Sequence, residues 1–258
     1  MESQPLHHVL ELAQKKLTTF QSSKTRYLTR AALASMFIGF GVIVAFKTGS
    51  FFYNIHSPFT YPAAAFTFGA AIILIAYGGG DLFTGNTFYF TYAALEKKIS
   101  WMQVIKLWLT SYAGNIIGAV VFAFLILGTG LFRDSHVNSF LLSVVDQKMN
   151  APTVELFFRA ILCNWLICLA FFLPMSVKSE AAKLFMMVLF VFCFFISGYE
   201  HSIANMCTFA IALVIDHPEA ISFNGVMHNL IPVTLGNLVG GGLLMGAVYW
   251  YLNNNKTK

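Results

Sequence analysis

A chain of 258 residues with 57% hydrophobic side chains, 10% charged side chains and a mean hydropathy of +0.69 is no soluble globular domain, since such domains carry about 25% charged residues. The net charge of +5 comes from basic residues scattered between apolar segments. That scatter excludes a nucleic-acid partner and fits anchoring at a lipid surface, so the composition describes a polytopic membrane protein embedded in a lipid bilayer.

The first 28 residues hold Leu6, Val9, Leu10, Ala13, Leu17 and Phe20 at helical spacing, with Glu11, Lys15 and Lys16 on the other side. This predicts an amphipathic helix at the membrane surface or a channel mouth. No apolar core followed by a small-residue cleavage site is present, so the segment is expected to remain in the mature protein. His7 and His8 read as exposed helix-start residues.

About 20 apolar residues cross a bilayer, and six spans follow: 29–50, 62–95, 101–130, 153–175, 181–215 and 227–252. The second and fifth are too long for one crossing and are interrupted. Gly78, Gly79, Gly80 and Asp81 break one; Gly198, Glu200 and His201 break the other. The expected organisation is an amphipathic cytoplasmic segment (1–28), a six-helix channel domain (29–252, halves 29–130 and 153–252) and a cytoplasmic tail (253–258). Cys163, Cys168, Cys193 and Cys207 all lie in apolar segments and read as small buried residues, with no disulfide framework or metal box.

The two breaks are copies of one another. A shift of 119 lays Gly79 on Gly198, Asp81 on Glu200 and Asn86 on Asn205. A shift of 129 lays Arg30 on Arg159, and one of 122 lays Gly114, Asn115 and Gly118 on Gly236, Asn237 and Gly240. Three spans repeated in order predict an inverted three-plus-three arrangement, because an odd number of crossings turns the second half upside down. With both termini cytoplasmic, that side carries twelve Lys and Arg residues against four outside, as the positive-inside rule favours.

Broken helices are tolerated in a membrane only where they line protein or water. A cavity is therefore expected at the breaks, with half-helices starting near Thr87 and Ala204 aiming partial positive charge at it. His201 is the one imidazole in a span interior and is the leading candidate for transport chemistry. Glu200 and Asp81 take a structural role, as caps of exposed backbone N–H groups, because bare carboxylates would repel an anion. Asn164 is expected to hydrogen-bond one of Glu200 and His201, and Thr84 is either a solute contact or a cap.

The segments Gly80-Asp81-Leu82-Phe83-Thr84-Gly85, Ala160–Ala170 around Cys163-Asn164, Gly198–Met206 and Asn229–Asn237 together resemble the formate/nitrite transporter family. The resemblance covers nearly the whole chain. It implies a homopentamer in which each aquaporin-like protomer has its own pore for small monovalent anions. It also implies that Thr84 and His201 meet the anion, that Leu82, Phe83 and Ile72 form the cytoplasmic constriction, and that Phe68 and Phe194 form the outer one. Asn164 is similar to the asparagine that holds the glutamate, Asn205 to the asparagine a turn after the histidine, and Lys148 to the basic residue of the outer vestibule. The break reads Thr84-Gly85-Asn86 where the best-known formate channel has Thr-Ser-Thr, and Ile72 stands where that channel has a leucine.

The function expected is passive or proton-linked passage of formate, nitrite or hydrosulfide, pH-dependent through His201, with no metal or cofactor. An intramembrane enzyme would need paired histidines at haem spacing, a nucleophile with its base, or a cysteine cluster, and the spans offer none. A neutral-solute pore is permitted by the inverted repeat, but paired Asn-Pro-Ala motifs are absent.

Overall fold

The computed structural model describes residues 3–254, and all regular structure in that range is helical. Met1 and Glu2 of the amphipathic segment, and residues 255–258 of the expected tail with Lys256 and Lys258, lie outside the described residues. In chain order the helices are α1 (Ser3–Ser22), α2 (Lys24–Tyr53), α3 (Thr60–Phe68), α4 (Ala70–Gly78), α5 (Phe83–Leu95), α6 (Trp101–Thr129), α7 (Ser135–Asn150), α8 (Thr153–Phe172), α9 (Glu180–Ile196), α10 (Ser202–Val214), α11 (Phe223–Leu238) and α12 (Val248–Asn253). A short 3-10 turn, Leu173–Ser176, extends α8, and a wide-wound π segment, Val239–Ala247, joins α11 to α12.

Five helical stretches among the described residues are long and apolar enough to cross a membrane: Lys24–Tyr53, Thr60–Gly78, Trp101–Thr129, Thr153–Ser176 and Phe223–Asn253. The chain is thus a multi-pass membrane protein. Between the apolar segments the helix starts are set by local chemistry. Ser23, Ser179 and Ser222 accept the N–H of the third residue on at α2, α9 and α11, while Ser100 and Gln103 form a reciprocal capping box at α6.

The amphipathic stripe of α1 is satisfied inside the protomer. Leu6, Val9, Ala13 and Leu17 are buried in one cluster with Tyr27, Phe88 and Tyr89, and each large apolar side chain so placed contributes roughly 1.5–3 kcal/mol. Helix α7 was absent from the expected set of elements, where 131–152 stood as a connection. It has the same character as α1: Val137, Phe140, Leu141, Val144 and Val145 are buried at helical spacing, and α7 packs on α2, α10 and α11.

Close packing between long helices is set by small residues. A Cβ on Gly118 would strike the carbonyl of Ala32 on α2, and one on Gly236 would strike the carbonyl of Phe157 on α8, so the α2–α6 and α8–α11 pairs approach backbone to backbone. The same economy governs the interruptions. Helix α4 stops at Gly78 and the chain turns at Gly79 with φ 72°, while α9 stops at Ile196 and turns at Gly198 with φ 68°. Only glycine adopts that conformation without strain.

Candidate functional site

After each glycine turn the backbone runs extended for a few residues and re-enters a helix at Phe83 (α5) and Ser202 (α10). These starts lie four and two residues earlier than expected, because the capping groups are unusual. The Oδ1 of Asn115, on α6, accepts the Phe83 N–H at 3.1 Å, and the Oδ1 of Asn237, at the end of α11, accepts the Ser202 N–H at 2.9 Å. Each asparagine also donates twice: Asn115 to the carbonyls of Ala31 and Asp81, and Asn237 to those of Ala160 and Glu200. The extended segments are pinned a second time, with Asp81 N–H donating to the Arg30 carbonyl and Glu200 N–H to the Arg159 carbonyl. Every buried polar group named here is paired, as a dry interior requires.

The two carboxylates at the breaks are not caps. Asp81 receives Lys16 Nζ of α1 at 3.4 Å, the Tyr27 hydroxyl at 3.1 Å and Asn86 Nδ2, while Lys16 also donates to Asn86 Oδ1 at 2.6 Å. Glu200 receives Lys148 Nζ of α7 at 2.8 Å and Asn205 Nδ2, and Asn205 also donates to Asn229 Oδ1 at 2.8 Å. Each negative charge thus meets a lysine from an amphipathic helix. The pairing leaves neither carboxylate bare.

One of the expected partnerships is redrawn. Asn164 does not hold Glu200: its amide donates to the Thr84 carbonyl at 3.2 Å, to Thr87 Oγ1 at 2.9 Å and to the Asn237 carbonyl at 2.6 Å. It faces the first turn of α5, whereas the Glu200 carboxylate points toward α7, so Asn164 positions Thr84. Lys148 is only partly exposed, and its ammonium is spent on Glu200.

The breaks meet at one contact, Thr84 Oγ1 to His201 Nε2 at 2.9 Å, with both residues buried. His201 is also the N-cap of α10, where its Nδ1 lies 3.0 Å from the Ala204 N–H. A backbone N–H can only donate, so Nδ1 is the acceptor and the ring proton stands on Nε2, facing Thr84. Above the imidazole, Phe194 stacks at 6.1 Å between ring centroids, and Phe68 meets Phe194 edge-on at 5.9 Å.

A cavity of about 20 Å³ adjoins His201, lined by Phe68, Ile72, Leu82 and Phe194 and by Ile38, Ala71, Ile75, Ile167, Phe171, Val191 and Ala204. That volume admits about one water molecule. Phe83 is turned elsewhere: Leu82 is extended (φ −100°, ψ 126°), so the next side chain points the other way, and the Phe83 ring packs edge-on against Tyr112 at 5.0 Å. On the α1 side a wider vestibule of about 750 Å³ opens, lined by α1, the Gly79–Leu82 segment, Arg30, Met175 and Lys183. Lys16, Tyr27, Asn86, Asn115 and Asn237 were not singled out as site residues. The last three were visible only as members of the repeat.

Residues 3–251 match the family described as "Formate/nitrite transporter". The chain is 63% identical to the "Uncharacterized transporter YwcJ" of Bacillus subtilis (strain 168), over 98% of this chain and 99% of that protein. It is 38% identical to the "Nitrite transporter NirC" of Escherichia coli (strain K12), over 86% and 81%. Among solved structures it superposes on an "FNT family ion channel" with TM-score 0.89 at 32% identity, covering 96% of this chain and 98% of that one. A "Pentameric formate channel with formate bound" gives 0.76 at 27% identity, covering 90% and 98%.

Proposed function

Because this chain belongs to the formate/nitrite transporter family, we propose that it passes formate, and also nitrite, through a pore in each protomer of a homopentamer, with His201 linking passage to protons. The observation that carries this reading is the Thr84–His201 contact at 2.9 Å, set between the two breaks and beside an otherwise apolar cavity. The pentamer is supported by the solved formate channel of like fold. Nitrite is supported by the 38% identity with the nitrite transporter of Escherichia coli.

The architecture proposed is six crossings in two inverted halves, each led by an amphipathic helix. Its support is the matched bonding of Asn115 with Asn237, Lys16 with Lys148, and Asn86 with Asn205. Both termini are then cytoplasmic, with the 750 Å³ vestibule opening to that side.

In mechanism, the ring of Ile72, Leu82, Phe68 and Phe194 strips water from the solute, which penalises a bare charge far more than a neutral acid. Thr84 and His201 are the polar side chains that meet it there. The neutral ring offers the anion one Nε2–H, directly or through the Thr84 hydroxyl. The cationic ring needs a second proton, at Nδ1, where the Ala204 N–H now donates. Charging His201 therefore opens the first turn of α10 by one hydrogen bond, and an anion at Nε2 offsets that loss by Coulomb attraction. A proton passed from Nε2 of the cationic ring to formate yields formic acid and leaves a neutral ring with its proton on Nδ1; the cap reforms when Nδ1 gives up that proton and Nε2 takes one, ready for the next anion.

The test is uptake into proteoliposomes at two pH values, comparing formate, nitrite and hydrosulfide with glycerol and water. Formate and nitrite flux that rises as pH falls supports the reading. Water or glycerol flux equal to anion flux contradicts it.

A further inference from the structure

The partly buried lysines of the two halves, Lys16 and Lys148, are both neutralised, by Asp81 and by Glu200. The next pair of basic residues is not treated alike. Arg30 and Arg159 occupy matching places, since the carbonyl of each accepts the N–H of a break carboxylate residue, Asp81 and Glu200 respectively. Arg159 is bound by Glu155, one turn earlier on α8, through its Nη2. Arg30 has the run Lys24-Thr25-Arg26 behind it, with Arg26 one turn earlier where Arg159 has an acid. Among the described residues its guanidinium makes no hydrogen bond and no ion pair. It lines the α1-side vestibule, with Nη1 standing 3.9 Å from where a Cβ on Gly79 would be.

We infer that Arg30 is an anion-capture residue of the α1-side vestibule, serving planar monoanions with two oxygens, and that it makes entry from that side faster than entry from the other. The inference rests on the anion-passing reading above. A guanidinium presents two parallel N–H groups that match the two oxygens of formate or nitrite. Being anchored by its own carbonyl to the break, Arg30 holds this fork over the left-handed Gly79 turn, two residues before Asp81 and three before Leu82. An anion taken there stands at the threshold of the apolar ring.

The other charges around the vestibule compete weakly. Lys16 is spent on Asp81 and Lys183 on Glu180, and Glu11 contacts His7 and His8 on the outer part of α1. Lys15 adds a second unpaired cation to the lining. On the α7 side Lys148 and Arg159 are both paired, Lys47 rests over the Phe51 ring, Arg133 is exposed beside Gly130 at the α6–α7 turn and does not line the central cavity, and the connection 215–222 carries Asp216 and Glu219 with no Lys or Arg. The start of α11 packs on Met149 of α7, which fixes that connection to the α7 mouth.

The experiment is a planar bilayer holding the full protein, with the same sodium formate concentration on both faces, a holding potential of either sign driving formate from one face at a time, and the insertion direction read from an N-terminal tag. Wild type is expected to carry more formate from the α1 side. Arg30→Gln should reduce flux from that side by about tenfold at low ionic strength, an effect of the size steering charges produce. The difference should shrink as salt brings the Debye length to about 8 Å. Flux from the α7 side should stay near wild type, which also shows that the variant is folded. Arg30→Lys should restore the salt dependence by charge but regain less of the formate flux than of chloride flux, having lost the fork. Equal fluxes from both sides in wild type, no change in Arg30→Gln, or an equal loss from both sides would each overturn the inference. A wild type that passes no formate from either side would instead remove the anion reading itself.

Discussion

Replacing Asn237 with leucine keeps the branched outline of the side chain but removes three hydrogen bonds at once. The Ser202 N–H, first in α10 and without an intrahelical acceptor, loses its partner, and the carbonyls of Ala160 and Glu200 lose a donor. Asn237 is fully buried, so water cannot substitute. An unsatisfied buried N–H costs about 1–3 kcal/mol, and two carbonyls left short add less each, for a total of about 3–5 kcal/mol. Asn115→Leu strips the same three kinds of bond from Phe83 N–H and from the Ala31 and Asp81 carbonyls. The two variants should therefore lose similar stability. Unfolding by sodium dodecyl sulfate in mixed micelles, followed by tryptophan fluorescence, measures both. A loss below about 1 kcal/mol in either variant would refute the reasoning, as would two losses differing by several kcal/mol, which would mean that the breaks are braced differently.

Other consequences can be checked on the same preparations. Glu200→Gln leaves the partly buried Lys148 ammonium without a counter-charge and sets one amide N–H₂ against either Lys148 or Asn205, both donors; about 2–4 kcal/mol should be lost. Adding Lys148→Met should recover part of it, and a double-mutant cycle showing no coupling would contradict the pairing. Gly118→Ala should destabilise by about 1–3 kcal/mol, because its Cβ meets the rigid Ala32 carbonyl rather than a mobile side chain. Gly128→Ala, where nothing lies near the added methyl, serves as the neutral control in the same unfolding assay.

What the sequence made legible were features forced by the membrane. A glycine and a carboxylate in the middle of an apolar run admit few explanations, and their recurrence in Gly79-Asp81 and Gly198-Glu200 points to two interruptions. Where partners come from distant elements, the sequence says less. The starts of α5 and α10 were misplaced because their first N–H groups are satisfied by asparagines on other helices, and because the cap of α10 is an imidazole, a side chain seldom used for that purpose. Spacing could not tell which way Asn164 faces, so it was assigned to Glu200 when it holds Thr84. Leu82 and Phe83 are adjacent in sequence and both apolar, yet an extended backbone sends them to opposite sides. Helix α7 escaped notice because 16 residues with several polar groups are too short to span a membrane, although its buried stripe has the same period as that of α1.

The central claim is that the solute passes between Thr84 and the Nε2 of His201. Its most direct measurement is formate flux, with simultaneous proton uptake, in proteoliposomes containing wild type or His201→Ala at pH 5 to 8. The account predicts that wild-type formate flux and proton uptake rise together as pH falls, and that in His201→Ala the pH dependence flattens and proton uptake no longer follows the anion. A His201→Ala protein with an unchanged pH profile and unchanged proton coupling would contradict it.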